Sequence, residues 1–151
     1  MRFIELAGEI NVGMPYFVRE RVIRALNERG RAIKGAGIFV LGVAYKRDVD
    51  DFRESPSLKV MELLLRDGAR IDYHDPHVPS FSDHHGNAWH SIPLSKEVLE
   101  RSDCVLILTD HSNVDYVKAM QHAPLIVDTR NATKASRQQL DGKARANVVL
   151  L

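Results

Sequence analysis

The sequence predicts an α/β fold: a doubly wound, mainly parallel sheet of the incomplete Rossmann-like type, preceded by a helical arm. Short apolar runs recur along the chain, which is typical of strands that are covered on both faces. Segments with apolar residues at helical spacing separate these runs, and strand–helix–strand alternation produces right-handed crossovers and a parallel sheet. A length of 151 residues suits one domain with a sizeable core.

The helical arm is predicted to span residues 1–29. From Pro15 onward, apolar residues follow the i, i+3, i+4 spacing of a buried stripe, at Phe17, Val18, Val22, Ile23, Ala25 and Leu26. Pro15 is tolerable in the first turn of a new helix, and it would kink a helix that continued through it. Gly30 is expected to end the arm in a left-handed conformation. A helix that begins almost at residue 1 without a cap suggests truncation of a longer chain.

Residues 30–151 are predicted to form the sheet and its helices. Strands are expected at 38–44, 69–74, 104–108 and 125–127, with a weaker fifth at 148–151. Ser55 is a suitable cap for a helix that begins at Pro56 and ends near Gly68. Shorter helices are expected at 95–99 and 114–121. The polar stretch 76–93 is long for a simple loop, so we interpret it as a surface excursion or a small hairpin.

Charge and composition exclude several classes of function. The chain has 21 basic and 20 acidic residues and a formal net charge of +1, which argues against nucleic-acid binding through a basic face. No apolar run approaches the roughly 18 residues that a membrane span needs. Glu5 and Glu9 interrupt what would be the apolar region of a signal peptide. A single cysteine, Cys104, makes a reducing cytoplasm the expected location.

The turn after the first strand is a candidate ligand site, because open parallel sheets bind ligands beyond the carboxyl ends of their strands. A dinucleotide fold places G-x-G-x-x-G there, yet only Gly42 remains in this sequence. Lys46, Arg47 and Arg53 occupy the turn instead, and phosphate recognition by side-chain charge is the natural substitute. The alternative is a solvated loop in which nearby carboxylates neutralise these cations: Asp48, Asp50, Asp51 and Glu54.

Other polar residues lie near the expected strand ends. Arg130 follows the fourth strand and is expected to approach the same anion from the far side, although a pair with Asp128 or Asp110 is an open alternative. His111 is expected either to hydrogen-bond a ligand or to turn the chain. Cys104 begins a buried strand, at the opposite end from His111, so we interpret it as a small hydrophobe rather than a nucleophile.

Histidines and carboxylates crowd one polar stretch, at His74, His77, His84, His85 and His90, with Asp75 and Asp83. A loop without cysteine or a helical i, i+4 pair provides no fixed ligand geometry, so we interpret these residues as solvated side chains rather than a metal site. No Ser-His-Asp arrangement has the glycine elbow that it would need. We therefore assign no catalytic residue and no metal ligand to this chain.

Six segments stand out along the chain. They are Glu9-Ile-Asn-Val-Gly-Met-Pro15, Gly42-Val-Ala-Tyr-Lys-Arg-Asp48, Phe52-Arg-Glu-Ser-Pro56, Tyr73-His-Asp-Pro76, Leu108-Thr-Asp-His111 and Val127-Asp-Thr-Arg-Asn131. In this order they resemble the C-terminal part of the nucleotide-sugar 6-dehydrogenases, a family that includes UDP-glucose and GDP-mannose dehydrogenases. The resemblance implies that residues 1–29 end a central helical, dimerising region and that residues 30–151 form a UDP-binding domain. Residues 49–57 and 128–131 look most like the branch that oxidises UDP-N-acetylhexosamines.

The resemblance implies roles for four residues. Lys46 matches the lysine that binds the UDP-sugar, with backbone help from Tyr45. Arg130 matches an arginine at the fourth strand that contacts the substrate. Arg53 matches an arginine that reaches across to NAD held by another domain.

The family's reaction oxidises a sugar alcohol to a carboxylate through a thioester on a cysteine, with two hydride transfers to NAD. This sequence lacks the Cys-Ile-Pro motif of that cysteine and the glycine fingerprint for NAD. The resemblance therefore implies an isolated chain that is inactive, NAD bound mainly by an absent N-terminal domain, and a homo-oligomer when complete. Two alternatives stay open: a non-catalytic nucleotide-binding or regulatory module, and a dimerisation piece in which residues 1–29 carry the function.

Overall fold

The computed structural model describes residues 2–53, 55–140 and 142–151, together with the side chains of these residues except 2–12 and 143. In chain order the elements are α1 (Arg2–Glu28), β1 (Gly37–Leu41), α2 (Pro56–Arg66), β2 (Arg70–His74), β3 (Ser80–Ser82), β4 (Ala88–His90), α3 (Lys96–Arg101), β5 (Cys104–Ile107), α4 (Tyr116–His122), β6 (Ile126–Asp128), α5 (Lys134–Gln139), α6 (Lys143–Ala146) and β7 (Val148–Leu150). Within the described ranges no helix is long and apolar enough to cross a membrane.

Five strands form one sheet in the spatial order β2-β1-β5-β6-β7, and every neighbouring pair is parallel. From β1 the chain crosses outward to β2 and then returns to the other side of β1 with β5. The strand order therefore reverses between β1 and β5, and this is where open α/β sheets form ligand crevices. The predicted fold class is confirmed.

The two faces of the sheet are covered by different helices. Ile38 and Val40 of β1 belong to a core cluster that includes buried residues of α1 and α2. Phe39 and Leu41 point to the opposite face and pack in a second cluster with buried residues of α3 and α4. This alternation follows the two-residue period of a strand, and it explains why β1 reads as a continuous apolar run.

The helical arm is confirmed, and of the two possibilities at Pro15 the structure contains a helix that continues through it. Helix α1 runs through Pro15, which is buried within it. A proline inside a helix costs about 3 kcal/mol, and burial of the apolar stripe at Val18, Val22 and Leu26 against the sheet outweighs that cost. Gly30 ends the helix as expected, with φ 72° and a bond from Arg31 N–H to Leu26 O of 3.0 Å.

Two further differences have local causes, and two expectations are confirmed. Strand β1 ends at Leu41, three residues before the predicted end, because Gly42 adopts φ 88° and turns the chain away. The stretch 76–93 contains an antiparallel β3–β4 hairpin, which confirms that alternative. Helices α5 and α6 were not predicted, because their short polar sequences offer no apolar stripe. The weak fifth strand is confirmed as β7.

Candidate functional site

A cleft of about 1260 Å³ lies beside the carboxyl ends of β1, β5 and β6. Its walls come from α1 around Pro15, the length of α2, the β3–β4 hairpin and the turns that follow the three strands. Tyr45 and Lys46 line it from the turn after β1, and Arg130 lines it from the turn after β6. The fold thus brings together three residues that the sequence marks as substrate-binding, although Arg53 is not among the lining residues.

The turn that carries Tyr45 and Lys46 starts with a close approach between two backbone segments. A Cβ on Gly42 would lie 2.5 Å from Cβ of Thr109 and 2.7 Å from its carbonyl oxygen. The hydroxyl of Thr109 donates to Ala44 O at 2.8 Å, so the turns after β1 and β5 are fastened together. Tyr45 N–H then donates to Asp51 O at 2.6 Å and closes the turn.

The turn after β6 is organised by a buried carboxylate. Asp128 accepts hydrogen bonds from the backbone N–H groups of Arg130, Ala132 and Thr133 and from the hydroxyl of Thr133. The side chain of Arg130 donates from Nε to Leu108 O at 3.1 Å. It forms no ion pair with Asp128 or with any other carboxylate of the described residues, so the paired alternative is not what the structure shows.

Arg53 follows the solvated-loop alternative, whereas Arg47 is paired with a carboxylate outside that loop. Arg47 pairs with Asp110, and the hydrogen bonds that its guanidinium donates to that carboxylate raise the pKa of this exposed side chain. Nε of Arg53 lies 3.2 Å from Oδ1 of Asp51, with 81% of the arginine side chain exposed. Glu54, the fourth carboxylate considered for this loop, lies outside the described residues. Of the cations on this turn, Lys46 is the one that lines the cleft.

The hairpin wall of the cleft is aromatic and well ordered by hydrogen bonds. The rings of Phe81 and Trp89 stack with centroids 6.1 Å apart. Nε1 of Trp89 donates to Asp83 at 3.0 Å, and this bond, with others from Asn87 and His85 N–H, holds the pKa of Asp83 well below its usual value. The side chains of His84 and His85 also line the cleft.

A buried Asp75–His111 pair lies beneath the turn after β1, and sequence reasoning missed it. Oδ2 of Asp75 accepts from Val43 N–H at 2.8 Å, from Ala44 N–H at 3.1 Å and from His111 Nε2 at 2.9 Å. Burial would raise the pKa of Asp75, but these hydrogen bonds and one from His77 N–H lower it overall. His111 is fully buried, so it does not contact a ligand from the solvent side. In the sequence, Asp75-Pro76 reads only as a turn.

Asp48, His77 and His111 place potential metal-ligating atoms within 4.8 Å of one another. Oδ1 of Asp48 lies 3.7 Å from His77 Nε2 and 3.8 Å from His111 Nδ1. His111 uses both of its ring nitrogens in hydrogen bonds, to Asp48 N–H and to Asp75. Two donors are then left, which is fewer than the three or four protein ligands of a zinc site. The group therefore fits a hydrogen-bonded cluster better than a metal centre.

The turn after β1 leaves no room for a dinucleotide pyrophosphate beside its glycine. A dinucleotide pyrophosphate needs open space beside the glycines of the first turn. The space beside Gly42 is instead filled by Thr109. Cys104 is fully buried, and that burial raises the pKa of its thiol to about 12, which suits a core residue and not a nucleophile.

A family model matches residues 39–135: the UDP binding domain of the UDP-glucose/GDP-mannose dehydrogenase family. A UDP-N-acetyl-D-mannosamine dehydrogenase from Methanococcus maripaludis is 34% identical over 86% of this chain. A UDP-glucose 6-dehydrogenase from Bacillus subtilis is 30% identical over 87% of it. The solved UDP-D-ManNAc dehydrogenase of Pyrococcus horikoshii aligns with 87% of the chain at 31% identity and a TM-score of 0.71. The chain spans about 30% of the length of each of these proteins: 30%, 32% and 30%.

Proposed function

Because this chain belongs to the UDP-glucose/GDP-mannose dehydrogenase family, we propose that its cleft binds the diphosphate of a UDP-sugar between Lys46 and Arg130. One observation carries the proposal: turns from two non-adjacent strands, β1 and β6, bring these two cations to one cleft. Unlike Arg47 and Arg53, neither forms an ion pair with a carboxylate of the described residues. Lysine offers a point charge and arginine a planar fork, and both suit phosphate oxygens.

The larger proposal is that the chain is the substrate-binding part of an NAD-dependent UDP-sugar 6-dehydrogenase. Residues 1–29 would end its central helical region and residues 30–151 would form its UDP-binding domain. NAD and the nucleophilic cysteine would come from a domain outside this chain, so the chain by itself is expected to reduce no NAD. The names of the Methanococcus and Pyrococcus relatives support a UDP-N-acetylhexosamine as the sugar nucleotide. The complete protein would be a homo-oligomer.

The first test removes one cation from the cleft. Lys46→Ala is expected to weaken UDP binding by about 10- to 150-fold, since a hydrogen bond to a charged group is worth roughly 1.5–3 kcal/mol. The measurement is a calorimetric titration of UDP into the whole chain. In amide NMR spectra of the same titration, the signals of Tyr45 and Lys46 are expected to shift when UDP binds.

The matched control is Arg47→Ala, which removes the adjacent cation from the same exposed turn. Arg47 is paired with Asp110 and does not line the cleft, so UDP affinity is expected to change less than threefold. Equal losses in the two variants would indicate a general effect of charge on the turn and would refute the assigned site.

Arg53→Ala separates the nucleotide site from the proposed contact with NAD. The side chain is exposed and lies outside the cleft lining. UDP affinity of this variant is therefore expected to remain within twofold of the wild type in the same titration. A loss as large as that of Lys46→Ala would place Arg53 on the UDP-sugar itself.

A further inference from the structure

Segment 43–48, which carries Tyr45 and Lys46, is held at both ends by one buried pair of side chains. Asp75 follows β2 and His111 follows β5, so the pair joins turns from the two strands that flank β1. Both side chains are completely buried, with His111 Nε2 at 2.9 Å from Asp75 Oδ2. The turns after β2 and β5 therefore meet beneath the turn after β1, which carries Lys46.

The pair fixes the two ends of the segment through different atoms. At the upstream end, Val43 and Ala44 donate their N–H groups to Oδ2 of Asp75. At the downstream end, Asp48 N–H donates to Nδ1 of His111 at 2.9 Å. Because a backbone N–H can only donate, Nδ1 is the acceptor, and Nε2 must carry the proton that is shared with Asp75. His111 is thus neutral and bridges the two ends.

The downstream end needs this support. Asp48 has φ 58°, a left-handed conformation that residues other than glycine seldom adopt. Its carboxylate accepts from Ser112 N–H at 2.8 Å and from the Ser112 hydroxyl at 2.7 Å. A backbone in this region persists where surrounding contacts hold it, and at Asp48 these contacts come from His111 and Ser112.

We infer that Asp75 and His111 are positioning residues for the diphosphate site, because they hold segment 43–48 in the conformation that places Lys46 in the cleft before a ligand arrives. This inference rests on the proposed function and assigns a task to two residues that do not touch the ligand. Ordering a loop at the moment of binding costs free energy, so a segment that is already held binds the nucleotide more tightly.

Two variants of His111 separate its two hydrogen bonds. The side chain of His111→Asn can still accept from Asp48 N–H but does not reach Asp75. The side chain of His111→Gln can still donate to Asp75 but leaves Asp48 N–H without its acceptor. Both are expected to weaken UDP binding by about 3- to 10-fold, the effect of one lost hydrogen bond. In His111→Gln the Asp48 amide should exchange its hydrogen at least about tenfold faster, whereas in His111→Asn it should stay protected.

His77→Gln is the matched control, because the ring of His77 packs on His111 with centroids 4.6 Å apart while its Nε2 has no hydrogen-bond partner among the described residues. Its UDP affinity is expected to match that of the wild type. Equal weakening in His77→Gln and the His111 variants would show that packing matters and not the hydrogen bonds. Unchanged UDP affinity in both His111 variants would also overturn the inference.

A measurement on the wild type covers the case in which the variants do not fold. The ¹⁵N chemical shifts of the His111 ring are expected to show a proton on Nε2 and none on Nδ1. The opposite tautomer would overturn the inference without any substitution. If the wild-type chain binds no UDP, the proposed function fails. A protected Asp48 amide and the Nε2–H tautomer would in that case still support the holding of segment 43–48 by the pair.

Discussion

Gly42→Ala is expected to lower the free energy of unfolding by about 3 kcal/mol or more, the largest loss expected from adding a methyl group to a glycine of the described residues. Gly42 has φ 88°, where an L-residue with a Cβ is strained. The new Cβ would also lie 2.5 Å from Thr109 Cβ and within 3 Å of the Thr109 backbone. Backbone atoms cannot rotate away, so the turns after β1 and β5 would have to separate. Urea unfolding followed by circular dichroism measures the change.

Gly30→Ala provides a control that keeps the strain and removes the clash. Gly30 has φ 72°, and apart from its own chain neighbours no atom of the described residues lies within 4 Å of the position that its Cβ would take. Its loss is expected to be about 1 kcal/mol, the conformational cost alone. The difference between the two variants then measures the close approach at Thr109. Equal losses would show that the turn after β1 adapts, and that the contact with Thr109 is not a fixed part of the site.

Most of the strands and helices could be predicted from the sequence, because buried residues produce a regular pattern of apolar positions along the chain. The apolar run at 104–108 and the stripe at Val18, Val22 and Leu26 predicted a strand and a helix that the structure contains. Sequence reasoning reached no decision where a single residue had to be judged without its surroundings. Pro15 is compatible with one helix or with two, and the packing of the neighbouring turns on the sheet decides the outcome. Helix α5 has a sequence with no apolar stripe to recognise.

In the candidate site, too, some residues could be identified from the sequence and others could not. Lys46 and Arg130 could be selected from the sequence, because cations after parallel strands must lie at one edge of the sheet. The partner of Arg47 could not, since Asp110 approaches it from the turn after β5. The Asp75–His111 pair was equally hidden: its bonds join residues 31 to 36 positions apart in sequence, and only the strand order brings them together. The order of strands in the sequence shows which strand ends lie at one edge of the sheet, but it does not show which side chains form pairs there.

The double variant Lys46→Ala/Arg130→Ala is expected to weaken UDP binding by about 10²- to 10⁴-fold, the largest effect on affinity. A diphosphate in this cleft would then face two other basic residues of its lining, Lys59 and Arg66. Both are already held by Glu62, at 3.4 Å from Lys59 Nζ and 2.8 Å from Arg66 Nη2. They are therefore poor substitutes for the lost cations. Calorimetry of UDP with the wild type, the two single variants and the double variant completes a mutant cycle.

Lys59→Ala/Arg66→Ala is the control, because it also removes two positive charges from the lining of this cleft. Its UDP affinity is expected to fall less than threefold, since hydrogen bonds to Glu62 already engage both side chains. If this control loses as much affinity as Lys46→Ala/Arg130→Ala, the diphosphate lies along α2 and not at the strand ends. The mutant cycle adds a second criterion. If Lys46 and Arg130 bind the same phosphate groups, their coupling energy should be at least about 0.5 kcal/mol. If they make independent contacts, the losses in binding free energy of the two single variants should add up to that of the double variant.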